Sequence, residues 1–336
     1  MKIVNPSVEL LHTGYETKPM TPEQLIEKVG RTCYKSEDKI TPDSSVKFVG
    51  GLIKRGHEAM IEHYSPIFWA EPETYEEFID NWEMLMHNGN LKMEDRLRPF
   101  LRFTDWTPDG SNTCRCIISG NMRAWRDYAK ACMEAFGFLP AYLYSPIKLF
   151  PTFFPEYKDW NPTDISVDYI LHQIGVDQLM GDLEHGVHHD VTAKFICDRG
   201  VTHEMVRHRT SSFAQESTRY CNYTLGKFEG SITIVEPAFV TNARTQCNQE
   251  IIDIWAASNE RAEQDYNRLI ELGCTPQEAR AVLPTDLKAE IIMTTNLYGW
   301  KHFTGLRCAP DAQPDMRVSA IQLLDELEDK VYCRIN

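Results

Sequence analysis

Apolar residues recur along this chain at two periods, and the places where one period gives way to the other mark its elements. Thr21-Pro22-Glu23-Gln24 reads as a capping box with proline at the first helical position. Leu25, Ile26 and Val29 then share a face, so the spacing predicts a helix that Gly30 ends. A second helix is expected over 44–55, with Val46, Val49, Leu52 and Ile53 inward and Gly56 as its stop. Residues 64–70 form a short aromatic strand, and 75–87 a helix closed by Asn88-Gly89-Asn90. From Cys114 a strand turns through Ser119-Gly120-Asn121 into a helix. Leu149 to Pro155 is a proline and aromatic connector, and 167–183 has helical periodicity in Ile170, Ile174, Leu179 and Leu183.

The second half of the chain is patterned more sharply. Val191, Ala193, Phe195 and Cys197 alternate with Thr192, Lys194, Ile196 and Asp198, a period of two that predicts a strand broken by Arg199-Gly200. Thr202 is expected to cap a short helix over 203–208. A strand over 230–235 and a long helix over 249–272, ended by Gly273, follow. A second capping box, Thr275-Pro276-Gln277-Glu278, opens a short helix that carries Arg280 to Leu283-Pro284. Residues 287–295 alternate as a strand. Residues 296–307 form a helix with Leu297, Trp300, Phe303 and Leu306 inward, and a last helix runs over about 316–333. The pattern as a whole predicts one α/β (α+β) domain over 1–336, a mostly antiparallel sheet wrapped by helices.

Composition narrows the class. At 336 residues the chain can bury one large core or two modest ones. No run of about 18 apolar residues occurs, so no transmembrane helix is expected. Met1-Lys2-Ile3-Val4-Asn5-Pro6 turns polar too early for a secretory signal, and ten cysteines without a framework spacing fit reduced thiols, so a cytoplasmic protein is expected. A formal net charge of −14 argues against nonspecific nucleic-acid binding, which draws on a broad basic surface.

Against that acidic background one stretch reverses sign: Arg207-His208-Arg209-Thr210-Ser211-Ser212-Phe213-Ala214-Gln215-Glu216-Ser217-Thr218-Arg219-Tyr220. Guanidinium forks match phosphate and carboxylate, and Ser217 adds a neutral donor. Two readings stand level: an anion site for a nucleotide, or arginines paired with carboxylates on a solvated surface. A metal is not expected. His203 and His208 are one residue too far apart to share a helical face, and His185, His188 and His189 sit in a polar connector where solvated histidines are expected. Neither Cys221 nor Cys308 sits in a pattern that marks an activated nucleophile, and Ser217 has no sequence-evident base.

Arg-His-Arg, then Ser217 and Arg219 at the right interval, led by Asp198-Arg199-Gly200-Val201-Thr202-His203-Glu204-Met205-Val206, resembles the signature of the flavin-dependent thymidylate synthases. Further blocks resemble the same family: Arg31-Thr32-Cys33-Tyr34, Gly56-His57-Glu58 ending in Glu62-His63, Ser119-Gly120-Asn121-Met122-Arg123-Ala124-Trp125, Ala279-Arg280 to Leu283-Pro284, and Ala312-Gln313-Pro314-Asp315-Met316-Arg317. Together they cover 31–70, 114–127, 191–235 and 279–317. Residues 129–190 are then a helical insertion that short members of the family lack.

The resemblance implies an enzyme that converts deoxyuridine monophosphate to deoxythymidine monophosphate without an enzyme nucleophile. Methylenetetrahydrofolate is the implied carbon donor, reduced FAD the hydride donor and NADPH the source of electrons, in a homotetramer with flavin sites shared between subunits. Carried over residue by residue, Arg207, His208, Arg209, Gln215, Asn296, Leu297, Tyr298, His302 and His57 would meet the flavin. Glu204, Met205, Val206, Arg207, Gln215, Glu216, Ser217, Thr218, Arg219, Arg280 and Arg307 would meet the nucleotide, with Arg280 on its phosphate. Arg307 would stabilise the negative charge that the uracil imide develops, and its plainer role is to satisfy the last carbonyls of its helix. The chain departs from the family pattern at Ala59, often a hydroxyl residue, at Tyr298 and His302, often Arg and Asn, and at Glu204 and Gln215, often Gln and Glu. Arg123 is open between the substrate pocket and a helix surface, and His57 and His63 between flavin neighbours and ordinary hydrogen-bonded histidines. A noncatalytic nucleotide- or RNA-binding protein that reuses the basic signature is the alternative of a different class.

Overall fold

The computed structural model describes residues 1–87, 100–106, 115–162, 170–179, 186–219, 221–228 and 230–335. Its strands are β1 (Lys2–Val4), β2 (Ser7–His12), β3 (Ile67–Ala70), β4 (Leu101–Trp106), β5 (Arg115–Gly120), β6 (His172–Ile174), β7 (Asp190–Asp198), β8 (Ser212–Gln215), β9 (Thr233–Val235) and β10 (Lys288–Asn296). The helices that shape the site and its supports are α1 (Pro22–Tyr34), α2 (Ser44–Lys54), α3 (Pro72–His87), α4 (Met122–Phe136), α5 (Arg199–Met205), α6 (Gln249–Glu271), α7 (Leu297–Arg307) and α8 (Pro314–Leu327). Two four-stranded sheets, β2-β7-β10-β8 and β4-β5-β3-β6, are antiparallel throughout, while β1 and β9 pair in parallel. The mixed, mainly antiparallel architecture expected from the pattern is what the chain adopts.

Local chemistry explains where the elements begin and end. Gln24 N–H donates to the Thr21 hydroxyl and Thr21 N–H to the Gln24 side chain, at 3.3 and 3.0 Å, which opens α1 as expected. Gly30 does not close it. A Cβ there would lie 2.7 Å from the Phe48 ring, so this glycine is a point of close helix–helix approach, and α1 continues to Tyr34 before Lys35 turns left-handed at φ 48°. In α2, Val49, Leu52 and Ile53 are buried, but Val46 faces out.

The first core lies against the β4-β5-β3-β6 sheet and is aromatic. Phe68 meets Trp125 edge-on at 5.6 Å, and Phe78, Tyr128 and Tyr142 continue the cluster. Each such ring contributes roughly 1.5–3 kcal/mol by burial. Ala129, Cys132, Tyr142, Leu143, Ile147, Phe153 and Phe154 belong to this core, so the described first part of 129–190 is packed into the fold. The helix expected over 167–183 is not formed where the chain is described. Residues 172–174 are the edge strand β6, with Ile174 opposite Ile67 and the His172 ring stacked on Trp69 at 4.1 Å, and Gly175 leads into a tight turn over Val176–Leu179. Apolar contact with an open sheet edge outweighed the helical spacing. Leu183, His185, Cys114, Tyr220 and the turn at Asn88-Gly89-Asn90 lie outside the described residues.

A second core joins β7 and β10 to α7 and α8 through Phe195, Ile291, Trp300, Phe303, Leu323 and Leu327. Leu306, expected inward, is 52% exposed. A third core packs Trp255 and Tyr266 of α6 on Ile232 and Ile234. No helix among the described residues is long and apolar enough to cross a membrane.

Candidate active site

The site is built around the junction of β7 and α5. Asp198 ends β7 and accepts from the Val201 N–H at 2.8 Å, so it is the cap and α5 starts at Arg199. Thr202 is therefore not the cap, and His208 lies beyond the helix. The Thr202 hydroxyl donates to the Arg199 carbonyl and accepts from Gln215 Nε2, both at 2.9 Å. That second bond ties α5 to β8, a strand inside the sign-reversing stretch, which pairs with β10 from Ser212↔Thr294 to Gln215↔Ile291.

Past β8 the chain is anchored from below. Glu216 and Glu290 are buried among Lys35, Lys194 and Lys288: Lys288 lies 3.1 Å from Glu216 and 2.5 Å from Glu290, Lys194 lies 2.7 Å from Glu290, and Lys35 also contacts Glu290. Burial alone would raise the Glu290 carboxyl, but Lys288 and Lys35 beside it hold it far below its ordinary range. The Ser217 N–H donates to the Cys33 carbonyl at 3.1 Å, and the Arg219 N–H to the Ser217 hydroxyl at 3.3 Å. The turn at 217–219 is thus held on the end of α1.

Three groups of expected residues emerge. The first is a cleft of about 570 Å³ lined by Thr218 and Arg280, with Arg280 Nη1 donating to Thr218 Oγ1 at 3.3 Å. Gln277 lines the same cleft and accepts from Arg219 Nε at 3.0 Å. Two further lining residues, Arg199 and His203, were not expected to meet a ligand from the sequence, where His203 was weighed only as a metal ligand. Their spacing of four places both on one helical face, a signal hidden by reading Arg199-Gly200 only as a strand break.

The second group surrounds Arg307. Its Nη1 donates to Glu204 Oε2 at 2.6 Å, Nη2 to the Glu204 carbonyl at 3.3 Å and Nε to His208 Nε2 at 3.2 Å. His208 packs on Phe303 at 4.8 Å and stands 5.8 Å from His302. Burial, then the charge of Arg307 and His302, pushes the His208 pKa down to about 4. The imidazole is therefore neutral near pH 7 and offers Nε2 as an acceptor. None of the bonds from Arg307 goes to the last carbonyls of its own helix.

The third group lines a cavity of about 360 Å³ that includes Asn296, Tyr298, His302, Thr210, Ser212 and Asn121. The two carboxylates on its wall are neutralised: Glu62 by Arg123 at 2.5 Å and Asp190 by Arg102 at 2.7 Å. Arg123 is thus spent on the 58–63 turn, where Arg126 also holds Glu58 at 3.3 Å. Leu297 is buried in the second core and does not line this cavity.

Other expected residues are placed apart. His57 is exposed, with Nδ1 3.3 Å from the Tyr34 hydroxyl, and Ala59 lies in the adjoining turn. Arg207, Arg209 and Val206 are exposed, and neither guanidinium has an ion-pair partner among the described residues. Met205 is fully buried in the second core, which leaves only its backbone for a ligand. His63 is buried against Thr294 Oγ1 at 2.7 Å, and its pKa is pushed down to about 3 by burial. His188 and His189 are not solvated, as the polar connector had suggested. His188 is enclosed between Ser119 and Thr104, and His189 bonds the Thr13 carbonyl.

Residues 176–331 match the family described as thymidylate synthase complementing protein. Curated relatives named flavin-dependent thymidylate synthase include one from Pyrococcus horikoshii, 34% identical over 39% of this chain and 51% of its own length. Another, from Corynebacterium aurimucosum, is 31% identical over 51% of this chain and 69% of its own. The chain spans about half the length of the Pyrococcus and Thermococcus relatives it matches. A solved UMP/dUMP methylase from Streptomyces cacaoi, bound with 5-Br dUMP, is similar over 44% of this chain and 69% of that one, at 23% identity and a TM-score of 0.37. On the sequence matches to curated relatives, this chain belongs to the flavin-dependent thymidylate synthase family.

Proposed function

We propose that the protein is a thymidylate synthase that methylates deoxyuridine monophosphate, taking the carbon from methylenetetrahydrofolate and the reducing equivalents from NADPH through FAD, with no covalent link between substrate and enzyme. The observation that carries the reading is that three motifs distant in sequence are bonded to one another. Gln215 donates to Thr202, Arg280 to Thr218 and Arg307 to Glu204, so the blocks around 204–219, 280 and 296–307 form one polar surface.

The donor set fits a flavin. The cavity at Asn296, Tyr298 and His302 presents hydrogen-bonding groups, its carboxylates are already paired, and Arg207 and Arg209 are two guanidinia with charge to spare for a diphosphate. Bound flavin would supply the hydride, chemistry that no side chain of this chain offers. Asn296, Leu297, Tyr298 and His302 would hold it together with Arg207, His208, Arg209, Gln215 and the segment at His57. Glu204 to Arg207, Gln215 to Arg219 and Arg280 would hold the nucleotide.

Arg307 has the chemical task. A guanidinium stays charged at any working pH, and its attraction for an oxygen that gains negative charge grows as water is excluded. Neutral His208 accepts from Nε and fixes the guanidinium plane, while the bond to the Glu204 carbonyl fixes one edge. Glu204 Oε2 occupies Nη1 until an anionic ring takes its place. Exposed Val206, Tyr298 and Leu306 near this group support a homotetramer that closes the pocket with a second subunit. A cytoplasmic location fits the same reading. The test is spectroscopic: purified protein should show flavin absorbance and release FAD on denaturation. Colourless protein that binds RNA in a salt-sensitive manner would overturn the proposal.

A further inference from the structure

The cleft that holds Arg280 contains more positive charge than one arginine requires. Arg199 and His203 stand four residues apart on α5, and both face this space, whereas Glu204, one residue further round the helix, turns to Arg307. The Arg199 N–H is fixed to the Thr285 carbonyl at 3.0 Å, so the base of its side chain is set by the same 283–287 segment that lines the opposite wall.

The state of the Arg199 side chain is unusual for this protein. Five other partly buried arginines among the described residues hold a carboxylate, Arg31 with Glu27, Arg102 with Asp190, Arg115 with Glu71, Arg123 with Glu62 and Arg307 with Glu204, and Arg317 donates to the Cys308 carbonyl. Arg199 is partly buried, yet among the described residues its guanidinium has no ion pair or hydrogen bond. Arg280 spends one nitrogen on Thr218, and no carboxylate lines the cleft, in a chain with 49 acidic residues against 35 basic ones. Leaving a partly desolvated guanidinium unpaired costs free energy that an anion would return. The remaining walls, Leu283, Pro284 and Leu287, are apolar and unsuited to a second charge.

We infer that Arg199 and His203 are specificity-determining residues that, with Arg280, clamp the terminal phosphate of a nucleoside monophosphate. The inference rests on the nucleotide reading proposed above and extends it to two residues of α5. Two guanidinia approaching from α5 and from the segment after Thr275 can each give a forked pair of bonds to a phosphate dianion, and His203 adds a ring N–H. The clamp makes the phosphate, more than the base, the group that decides whether a nucleoside binds.

The test is calorimetric binding of deoxyuridine monophosphate and of deoxyuridine to the intact protein, to Arg199→Gln, to Arg199→Lys and to His203→Gln, with thermal midpoint and bound flavin as checks on folding. Arg199→Gln should weaken monophosphate binding about 10- to 100-fold and leave the nucleoside unchanged, since a charged hydrogen bond is lost and nothing else. Arg199→Lys should recover part of the loss, and His203→Gln should cost about 3- to 10-fold. Unchanged monophosphate affinity in folded Arg199→Gln overturns the inference. If the intact protein binds uridine or deoxycytidine monophosphate but not deoxyuridine monophosphate, the activity reading fails, and the clamp is judged on the same variants with the ligand that binds. If it binds no monophosphate, both fail.

Discussion

Arg307→Ala separates a catalytic role from a structural one, because the geometry assigns the two roles very different magnitudes. The Arg307 and Glu204 side chains are 19% and 27% exposed, so their ion pair is screened and contributes about 1 kcal/mol or less to folding. For a chain of this size that is a fall in thermal midpoint of about 2 °C. Loss of a donor aimed at a developing oxyanion costs about 10²- to 10³-fold in kcat, or about 3–4 kcal/mol. The assay is anaerobic turnover of deoxyuridine monophosphate at saturating folate and NADPH, with bound flavin and thermal midpoint measured on the same sample. The variant should keep flavin and fold yet fall in kcat by at least a hundredfold. A double variant that also carries Glu204→Gln controls for the carboxylate left behind and should be no faster. A kcat within about tenfold of the parent would refute the assignment of Arg307 to the ring.

Three further outcomes follow from buried charge and caps. His63 has a folded pKa near 3 against about 6.5 unfolded, so the unfolded chain binds the proton first. Stability is full above pH 6.5 and is lost as pH falls, by about 2 kcal/mol between pH 7 and 5; urea midpoints should show His63→Asn losing that much less than the parent. Glu290→Gln leaves Lys194 without its carboxylate and Lys35 and Lys288 with weaker pairing to Glu216, and should cost about 2–4 kcal/mol in chemical denaturation, with an unaltered midpoint ruling out the network as a support. Asp198→Ala removes the cap of α5 and should cost about 1 kcal/mol, detectable as a lower urea midpoint, and an unchanged midpoint would rule out the cap.

Elements whose ends are set by local chemistry were legible in the sequence. The capping boxes at Thr21 and Thr275, the turn through Ser119-Gly120-Asn121 into α4 and the alternation in β7 all fold as their patterns indicate. What depends on a distant partner was not. Gly30 resembles a stop until Phe48 is seen against it, and Ile174 fits a helical face until its strand finds Ile67. The polar run after Arg209 hides a strand because β8 is only four residues long and its burial comes from β10. In the site, the arginines and Ser217 were visible because charge of the wrong sign in an acidic chain is conspicuous. Glu204 as the partner of Arg307, the neutrality of His208 and the alignment of Arg199 with His203 needed the packing of α5 against α7 and the 280–287 segment.

The central claim is that these bonded motifs serve one reaction at a pyrimidine ring. Flavin-loaded protein incubated anaerobically with deoxyuridine monophosphate, NADPH and methylenetetrahydrofolate labelled at the methylene carbon tests it most directly. Deoxythymidine monophosphate carrying the label is the predicted product, and its absence from flavin-loaded, folded protein would contradict the account.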